Sequence, residues 1–141
     1  YFNVYGSNEG HKGDMASPVH KFTNQATTTG EIKVFEGSEN YVRDFISVED
    51  VVDITLAAKD FKESGIYNVG TGDPRSFLDV ARIISDHTGA KIIEIPFPDH
   101  LKGKYQAFTK SNNTKLLEMC DHTFLTLEEG IARYIDGLER E

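Results

Sequence analysis

A glycine-rich segment near the start of the chain holds the side chains whose types and spacing best suit chemistry. Residues 5–17 read YGSNEGHKGDMAS, so that three glycines lie around His11 and Lys12. Such a segment loses much conformational entropy when it is ordered and buries little apolar surface in return. It is either an ordinary loop, a cradle for a phosphate group, or a loop that carries a catalytic side chain.

The same segment imitates a dinucleotide-binding motif. Residues 10–16 fit the spacing G-x-x-G-x-x-A between a predicted strand and a predicted helix, and Glu36 follows about 20 residues later, where a ribose-binding acid would lie. The motif needs its first glycine directly after the strand, but residues 6–10 intervene. A second glycine pair, at 70–72, is followed by Arg75 where a third glycine is required. The spacing therefore disfavours a free-standing cofactor-binding domain.

Composition and charge narrow the class of ligand. The 141 residues carry a formal net charge of −8, and basic residues do not cluster beyond Lys102 and Lys104. DNA or RNA phosphates would be repelled, so no nucleic acid is expected, whereas a few placed cations could hold a small anion. No apolar run approaches the ~18 residues of a membrane span, and no charged-then-apolar leader opens the chain. No membrane partner and a cytoplasmic location are expected.

Cysteine and histidine are too sparse for an internal disulfide or a metal site. Cys120 is the single cysteine, which fits a reducing compartment, and its apolar neighbours indicate packing rather than catalysis. His11 has only Asp14 at ligand spacing, and Glu118 with His122 makes one pair on a helix face. The sequence therefore predicts no metal.

Hydrophobic periodicity predicts an α/β domain in which strands and helices alternate. Strands are expected at 1–5, 32–35, 45–47, 66–69 and 91–97, the last burying Ile93, Ile95 and Phe97. Helices are expected at 18–29, at 48–61, from Ser76, near 113–120 and from Thr126. Met15 is expected on the apolar face of the first helix, Val52 inside the second, and Leu138 on the inner face of the last. Ser47 with Asp50 and Thr126 with Glu129 fit capping boxes.

A series of short stretches, all in the same order, resembles one enzyme family. They are YFNVYG at 1–6, EGHKG at 9–13, MAS at 15–17, FEGS at 35–38, RDF at 43–45, YNVGTG at 67–72 and YQAF at 105–108. Over essentially the whole chain they are similar to ADP-L-glycero-D-manno-heptose 6-epimerases of the extended short-chain dehydrogenase/reductase family. FNVYG and NVGTG are similar to many nucleotide-sugar epimerases and dehydratases, whereas GHKG, FEGS and KGKYQAF point to the heptose enzymes.

The resemblance implies a fold and a reaction. These enzymes pair an N-terminal NADP-binding Rossmann domain, which carries a Tyr-x-x-x-Lys pair, with a substrate-binding part. No tyrosine here has a lysine four positions later. Residues 1–141 are therefore expected to form the small mixed α/β substrate-binding domain of a C-terminal fragment, lacking most of the Rossmann domain and inactive alone. The implied reaction converts ADP-D-glycero-D-manno-heptose to its L-glycero epimer by oxidation and re-reduction at C6 with NADP, for the lipopolysaccharide inner core. A homo-oligomer is also implied.

The resemblance also implies roles for particular residues. Lys12 matches the second of two bases that act on opposite faces of the sugar, and burial beside a cationic nicotinamide would favour its neutral amine. Asn3 matches a substrate contact, and Val4 a backbone contact near the cofactor, which Lys12 would also face. Arg43 matches a diphosphate ligand and Tyr105 a further substrate contact. The family's turn that holds the nucleotide part of the substrate is matched here by Phe35, Glu36, Gly37 and Ser38.

Three departures from the family pattern leave the sugar specificity open. Ser7 stands where a proline usually follows the Tyr-Gly pair. Asp14 stands where a serine commonly contacts substrate, so it either caps the next helix, as Ser17 also could, or meets a sugar hydroxyl. The expected sugar-contacting histidine aligns with Lys21, so either Lys21 makes that contact or His20 takes it over.

Two other functions fit the same residues. One is a UDP- or dTDP-sugar epimerase or dehydratase, and the other is a non-catalytic sugar-nucleotide-binding module. Without the resemblance, Arg43 would be interpreted as a surface residue paired with Asp44 or Glu39.

Overall fold

The computed structural model describes residues 1–138, and its strands pair two by two. Strands β1 (Asn3–Tyr5) and β4 (Phe45–Ser47) are parallel, as are β2 (Glu31–Phe35) and β6 (Lys91–Ile95), whereas β3 (Val42–Arg43) and β5 (Arg75–Ser76) are antiparallel. In the longest pair, Glu31 lies opposite Lys91 and Phe35 opposite Ile95. The two short strands β3 and β5 were not predicted from the sequence.

Five α-helices separate and follow these strands. They are α1 (Pro18–Thr29), α2 (Val48–Ala57), α3 (Phe77–Thr88), α4 (Thr114–Leu117) and α5 (Leu127–Leu138). Short 3-10 segments form at Gly10–Met15, Ser38–Asn40, Ala58–Asp60 and Asp99–Leu101. The alternation confirms the predicted α/β class. Within residues 1–138, no helix is long and apolar enough to cross a bilayer.

Hydrogen-bonding side chains at the helix starts explain where the helices begin. Ser17 caps α1 by accepting from the His20 amide, and Pro18 occupies the first turn, where its missing N–H is tolerated. Asp14 does not cap this helix. Thr126 and Glu129 exchange hydrogen bonds at the start of α5, as a capping box requires, so that prediction is confirmed.

Only one of the two hydrogen bonds of the capping box predicted for α2 forms, so that prediction is wrong for Asp50. The Ser47 hydroxyl accepts from the Glu49 amide, but the Asp50 carboxylate is turned into the protein and is 3% exposed. There it lies 2.8 Å from His122 Nε2 and accepts from the Leu125 amide. Asp50 therefore ties α2 to the segment before α5, because distant partners outcompete the local amide.

The larger hydrophobic core lies where α1, α3 and α5 pack against β2 and β4. Its fully buried side chains are Val19, Ile32, Val80, Ala81, Ile84 and Ile131. A smaller cluster around Ile46, Ile54, Val69 and Leu116 lies beside α2. Together the two clusters place the ends of β1, α1 and β3 around one cleft, described below.

Some apolar residues lie on a different face from the one predicted. In β6, Ile92 packs against the core and Ile93 is 36% exposed, so the prediction that Ile93 is buried is wrong, whereas Ile95 and Phe97 are partly buried. Met15 precedes the start of α1 and is 86% exposed, and Val52 and Leu138 are half-exposed on the outer sides of their helices. Residues 66–69 form no strand, since their one backbone–backbone hydrogen bond in the described part of the chain runs from the Phe2 amide to the Val69 carbonyl.

A close contact between α5 and β1 gives a first stability prediction. A Cβ at Gly130 would overlap the Tyr5 hydroxyl, and Tyr5 is 2% exposed, so Gly130→Ala has no room. We expect the free energy of unfolding to fall by about 1–3 kcal/mol. Gly137 lies on the same helix with nothing near its Cβ position, so Gly137→Ala should instead stabilise by up to about 1 kcal/mol. Urea unfolding of both variants measures the difference, and equal midpoints would contradict the packing.

Candidate functional site

A cleft of about 320 Å³ opens beside the glycine-rich segment. It lies between the end of β1, the start of α1 and the side of β3, which bring distant parts of the chain together. Of the residues singled out in the sequence, its walls hold Asn3, Val4, Lys12, Lys21, Arg43 and Tyr105. Glu9, Ser17 and Phe77 also line the cleft.

The loop that carries Lys12 is a 3-10 turn broken at a glycine. Gly13 has φ 52° and ψ −124°, a conformation that glycine adopts without strain. The Gly10–Met15 side chains are all exposed, and the Lys12 side chain is 42% exposed. Lys12 Nζ lies 3.5 Å from Glu9 Oε2. The loop therefore presents an amine at the cleft with one carboxylate beside it.

Glu9 carries a buried charge, and no pattern in the sequence indicated a role for it. It is 3% exposed, and its carboxylate accepts from the Gly6 amide and from both the amide and the hydroxyl of Ser17. Burial alone would raise the pKa of the Glu9 carboxyl, but these hydrogen bonds and the Lys12 ammonium outweigh it and hold the pKa below its usual range. Glu9 is therefore ionised at neutral pH.

The two neighbouring candidates on α1 point to different places. Lys21 lines the cleft, and its ammonium donates to the Asp14 backbone carbonyl. His20 lies outside the cleft, with Nδ1 2.8 Å from the Tyr134 hydroxyl in a groove between α1 and α5. Asp14 is exposed and is not part of the cleft wall. In this geometry Lys21, rather than His20, can reach a ligand in the cleft.

Arg43 is held between two aromatic rings rather than in a surface ion pair. Its guanidinium carbon lies 5.5 Å from the centre of the Phe77 ring and 5.3 Å from that of Tyr105. It donates to the Val42 and Gln106 carbonyls. Among residues 1–138 no carboxylate lies within 4.0 Å of it, so the surface ion pair with Asp44 or Glu39, which was the alternative without the resemblance, does not form. Two hydrogen bonds leave further guanidinium N–H groups able to donate to a ligand.

A narrow aromatic pocket of about 60 Å³ lies next to the cleft, since Phe77 and Tyr105 line both. Its other walls include Phe35, Ser38 and Tyr41. Ser38 is 3% exposed, and its hydroxyl has no partner among the described residues. Burial raises the pKa of the Tyr105 hydroxyl, against the opposing effect of Arg43, so this group stays protonated.

The predicted nucleotide turn is only partly in this pocket. Phe35 and Ser38 line it, whereas Glu36 is exposed and Gly37 makes the turn between them with φ 78°. Gly37 is thus needed for its left-handed backbone, which brings Ser38 back towards the aromatic rings.

Behind the cleft, Asp44 organises three chain segments. Its side chain is fully buried, and its two oxygens accept from the Thr71 amide and hydroxyl, the Gly72 amide and the Ser111 amide. These segments are 27 to 67 residues away in sequence, so no local pattern could have predicted the arrangement. Asp44 fixes the strand residue that precedes it, Arg43, in the cleft wall.

The remaining reactive groups have structural surroundings. Cys120 packs against the smaller core cluster, and burial raises the pKa of its thiol, which disfavours the nucleophilic thiolate. In the part of the chain that is described, no group of three or more His, Cys, Asp or Glu side chains could hold a metal ion.

Comparison with known proteins relates the chain to a family of enzymes. The sequence model of the NAD dependent epimerase/dehydratase family matches residues 1–70. The solved UDP-glucose 4-epimerase of Thermotoga maritima superimposes with a TM-score of 0.81 at 27% identity, over 99% of this chain and 44% of that one. Over residues 1–70 the chain therefore matches the NAD dependent epimerase/dehydratase family.

Within this family the chain is similar to heptose enzymes. It is 45% identical to an ADP-L-glycero-D-manno-heptose-6-epimerase of Alkalilimnicola ehrlichii, over 98% of this chain and 46% of the relative. The crystal structure of the Helicobacter pylori ADP-L-glycero-D-manno-heptose-6-epimerase matches with a TM-score of 0.84 and 33% identity, over 99% of this chain and 42% of that one. The resemblance and the fold class inferred from the sequence are confirmed, and the chain spans less than half the length of these relatives.

Proposed function

We propose that this chain is the substrate-binding part of an NADP-dependent epimerase that inverts C6 of ADP-glycero-manno-heptose. The observation that supports the proposal best is one cleft that collects Lys12, Lys21 and Arg43 and shares two wall residues with a neighbouring aromatic pocket. A nucleotide sugar has the matching parts, namely a diphosphate between a planar base and a sugar.

The charge of the cleft suits a diphosphate. Its walls hold three cationic side chains and the Glu9 carboxylate, which leaves two positive charges although the whole chain carries −8. The free N–H groups of Arg43 can bind two phosphate oxygens at once, and the rings that flank it keep the guanidinium in place. Lys21 adds a second donor from the first turns of α1.

The aromatic pocket suits the edge of a nucleobase. Tyr41 and Tyr105 line the pocket with their ring centres 5.0 Å apart and offer ring faces and edges for stacking. The unpartnered hydroxyl of Ser38 provides a polar atom that a base nitrogen could satisfy.

The chemistry at the other end of the cleft requires a proton acceptor. In its neutral form Lys12 takes the proton of the C6 hydroxyl on one face of the sugar, and the tyrosine of the Rossmann domain that the resemblance implies serves as acid or base on the opposite face. NADP supplies the acceptor and the donor of the hydride when it is bound. The residues present fit its nicotinamide end, since Val4 and the half-exposed Lys12 both line the same open cleft. The rest of the dinucleotide would be held by the Rossmann domain that the resemblance implies.

A substrate panel tests this proposal. We expect the full-length protein that contains this chain, supplied with NADP, to epimerise ADP-D-glycero-D-manno-heptose at least ~100-fold faster than UDP-glucose or dTDP-glucose, measured as kcat/KM. A preference for a UDP- or dTDP-sugar would favour the second candidate enzyme class. Binding of ADP-heptose without turnover would favour a non-catalytic module. Either result would contradict the proposal. The homo-oligomer, the cytoplasmic location and the role in lipopolysaccharide synthesis stay predictions.

A further inference from the structure

The loop that carries Lys12 has almost no apolar contacts to hold it in place. Among residues 7–15, Glu9 alone is buried, and Met15, the largest apolar side chain there, is 86% exposed. Three glycines in the segment from Gly6 to Gly13 add backbone freedom. The position of this loop must therefore come from polar contacts.

Glu9 supplies those contacts at both ends of the loop. Oε1 accepts from the Gly6 amide at 3.1 Å and from the Ser17 hydroxyl at 2.7 Å, and Oε2 accepts from the Ser17 amide at 2.7 Å. Gly6 follows β1 directly and Ser17 caps α1, so one carboxylate joins the two elements that bound the loop. The Lys12 amide also donates to the Glu9 carbonyl at 2.9 Å.

The same carboxylate also restrains the lysine side chain. Lys12 Nζ lies 3.5 Å from Glu9 Oε2, on the oxygen that already accepts from Ser17. Lys21 and Arg43 lie in the same cleft and repel a third cation, so without an anion the flexible Lys12 side chain would turn away into solvent. Glu9 is the carboxylate among the cleft residues that opposes this repulsion.

We propose that Glu9 is a positioning residue that closes the loop from Gly6 to Ser17 and holds the Lys12 amine against the cleft, where it exchanges a proton with the sugar hydroxyl. This inference rests on the proposed role of Lys12 as the base. In that step the O–H bond of the substrate breaks, an N–H bond forms on Lys12, and the hydride leaves C6 for NADP. Glu9 stays a carboxylate throughout and steadies the ammonium that results.

A double-mutant cycle in the full-length protein tests the proposal. Glu9→Gln keeps the size of the side chain but removes its charge and at least one accepted hydrogen bond. We expect kcat for ADP-heptose to fall roughly tenfold to a hundredfold, with KM changed less than about twofold, because misplacing a reacting group affects the chemical step. In a Lys12→Met background, the same change should lower kcat no further.

The outcomes separate the two proposals. If Lys12→Met is impaired and Glu9→Gln lowers kcat equally in both backgrounds, Glu9 acts on folding alone and the positioning role is overturned. If Lys12→Met keeps full turnover, the proposed base is wrong and the role of Glu9 with it. Glu129→Gln is a matched control, since Glu129 caps α5 in the same way but outside the cleft, and its kcat should be unchanged.

A measurement on the unsubstituted protein guards against a variant that fails to fold. The Gly6 and Ser17 amides donate to Glu9, so their hydrogens should exchange with solvent more slowly than that of Asn8, which is exposed in the same loop. Exchange of all three amides at one fast rate would show that the loop is not held by Glu9 and would overturn the inference.

Discussion

Replacing Lys12 with methionine is expected to lower kcat of the full-length enzyme by about 10²–10⁴-fold. A positioned general base contributes a rate factor of this size, and methionine keeps a similar length without a proton-accepting atom. KM for the nucleotide sugar should change much less, because Arg43 and Lys21, the proposed diphosphate ligands, remain in the cleft wall. The measurement is the steady-state rate of epimerisation of ADP-heptose, together with ligand affinity by calorimetry.

Lys59 provides a matched control, because it is an exposed lysine in a 3-10 turn after α2 and is not part of the cleft. Lys59→Met should turn over like the parent enzyme. An unchanged kcat in Lys12→Met would remove the base from this loop and leave it as an ordinary exposed turn.

Replacing Asp44 with alanine is expected to lower the free energy of unfolding by about 3–5 kcal/mol. The Thr71, Gly72 and Ser111 amides would each lose their acceptor, and an unpaired buried donor costs roughly 1–3 kcal/mol. Asp44→Asn should have a stability between those of the parent protein and Asp44→Ala. Its amide oxygen still accepts hydrogen bonds, but its NH₂ group faces an N–H donor. Urea unfolding monitored by near-UV circular dichroism measures the loss.

Asp53→Ala serves as the control for Asp44, since Asp53 is an exposed aspartate on α2. Its free energy of unfolding should stay within about 0.5 kcal/mol of that of the parent protein. If Asp44→Ala were equally mild, water rather than the buried carboxylate would satisfy the three amides, and the rigidity of the cleft wall at Arg43 would need another origin.

The sequence by itself determined the features that depend on near neighbours along the chain. The 3.6-residue period and the Thr126–Glu129 capping box set α5, and Ser17 with Pro18 set the start of α1, because each signal acts within one turn of helix. The family resemblance likewise followed from contiguous stretches, and it assigned roles to half of the residues that line the cleft.

Only the tertiary structure decided where polar side chains are buried and which face of a short strand is covered. Asp44 binds residues 71 and 111, and Asp50 binds His122, because distant amides and rings offered better partners than the local backbone. Glu9 is indistinguishable in sequence from an exposed loop glutamate, and Ile92 and Ile93 are equally apolar. The energy of a buried charge or of a packed strand face belongs to contacts between segments, and those exist only once the chain has folded.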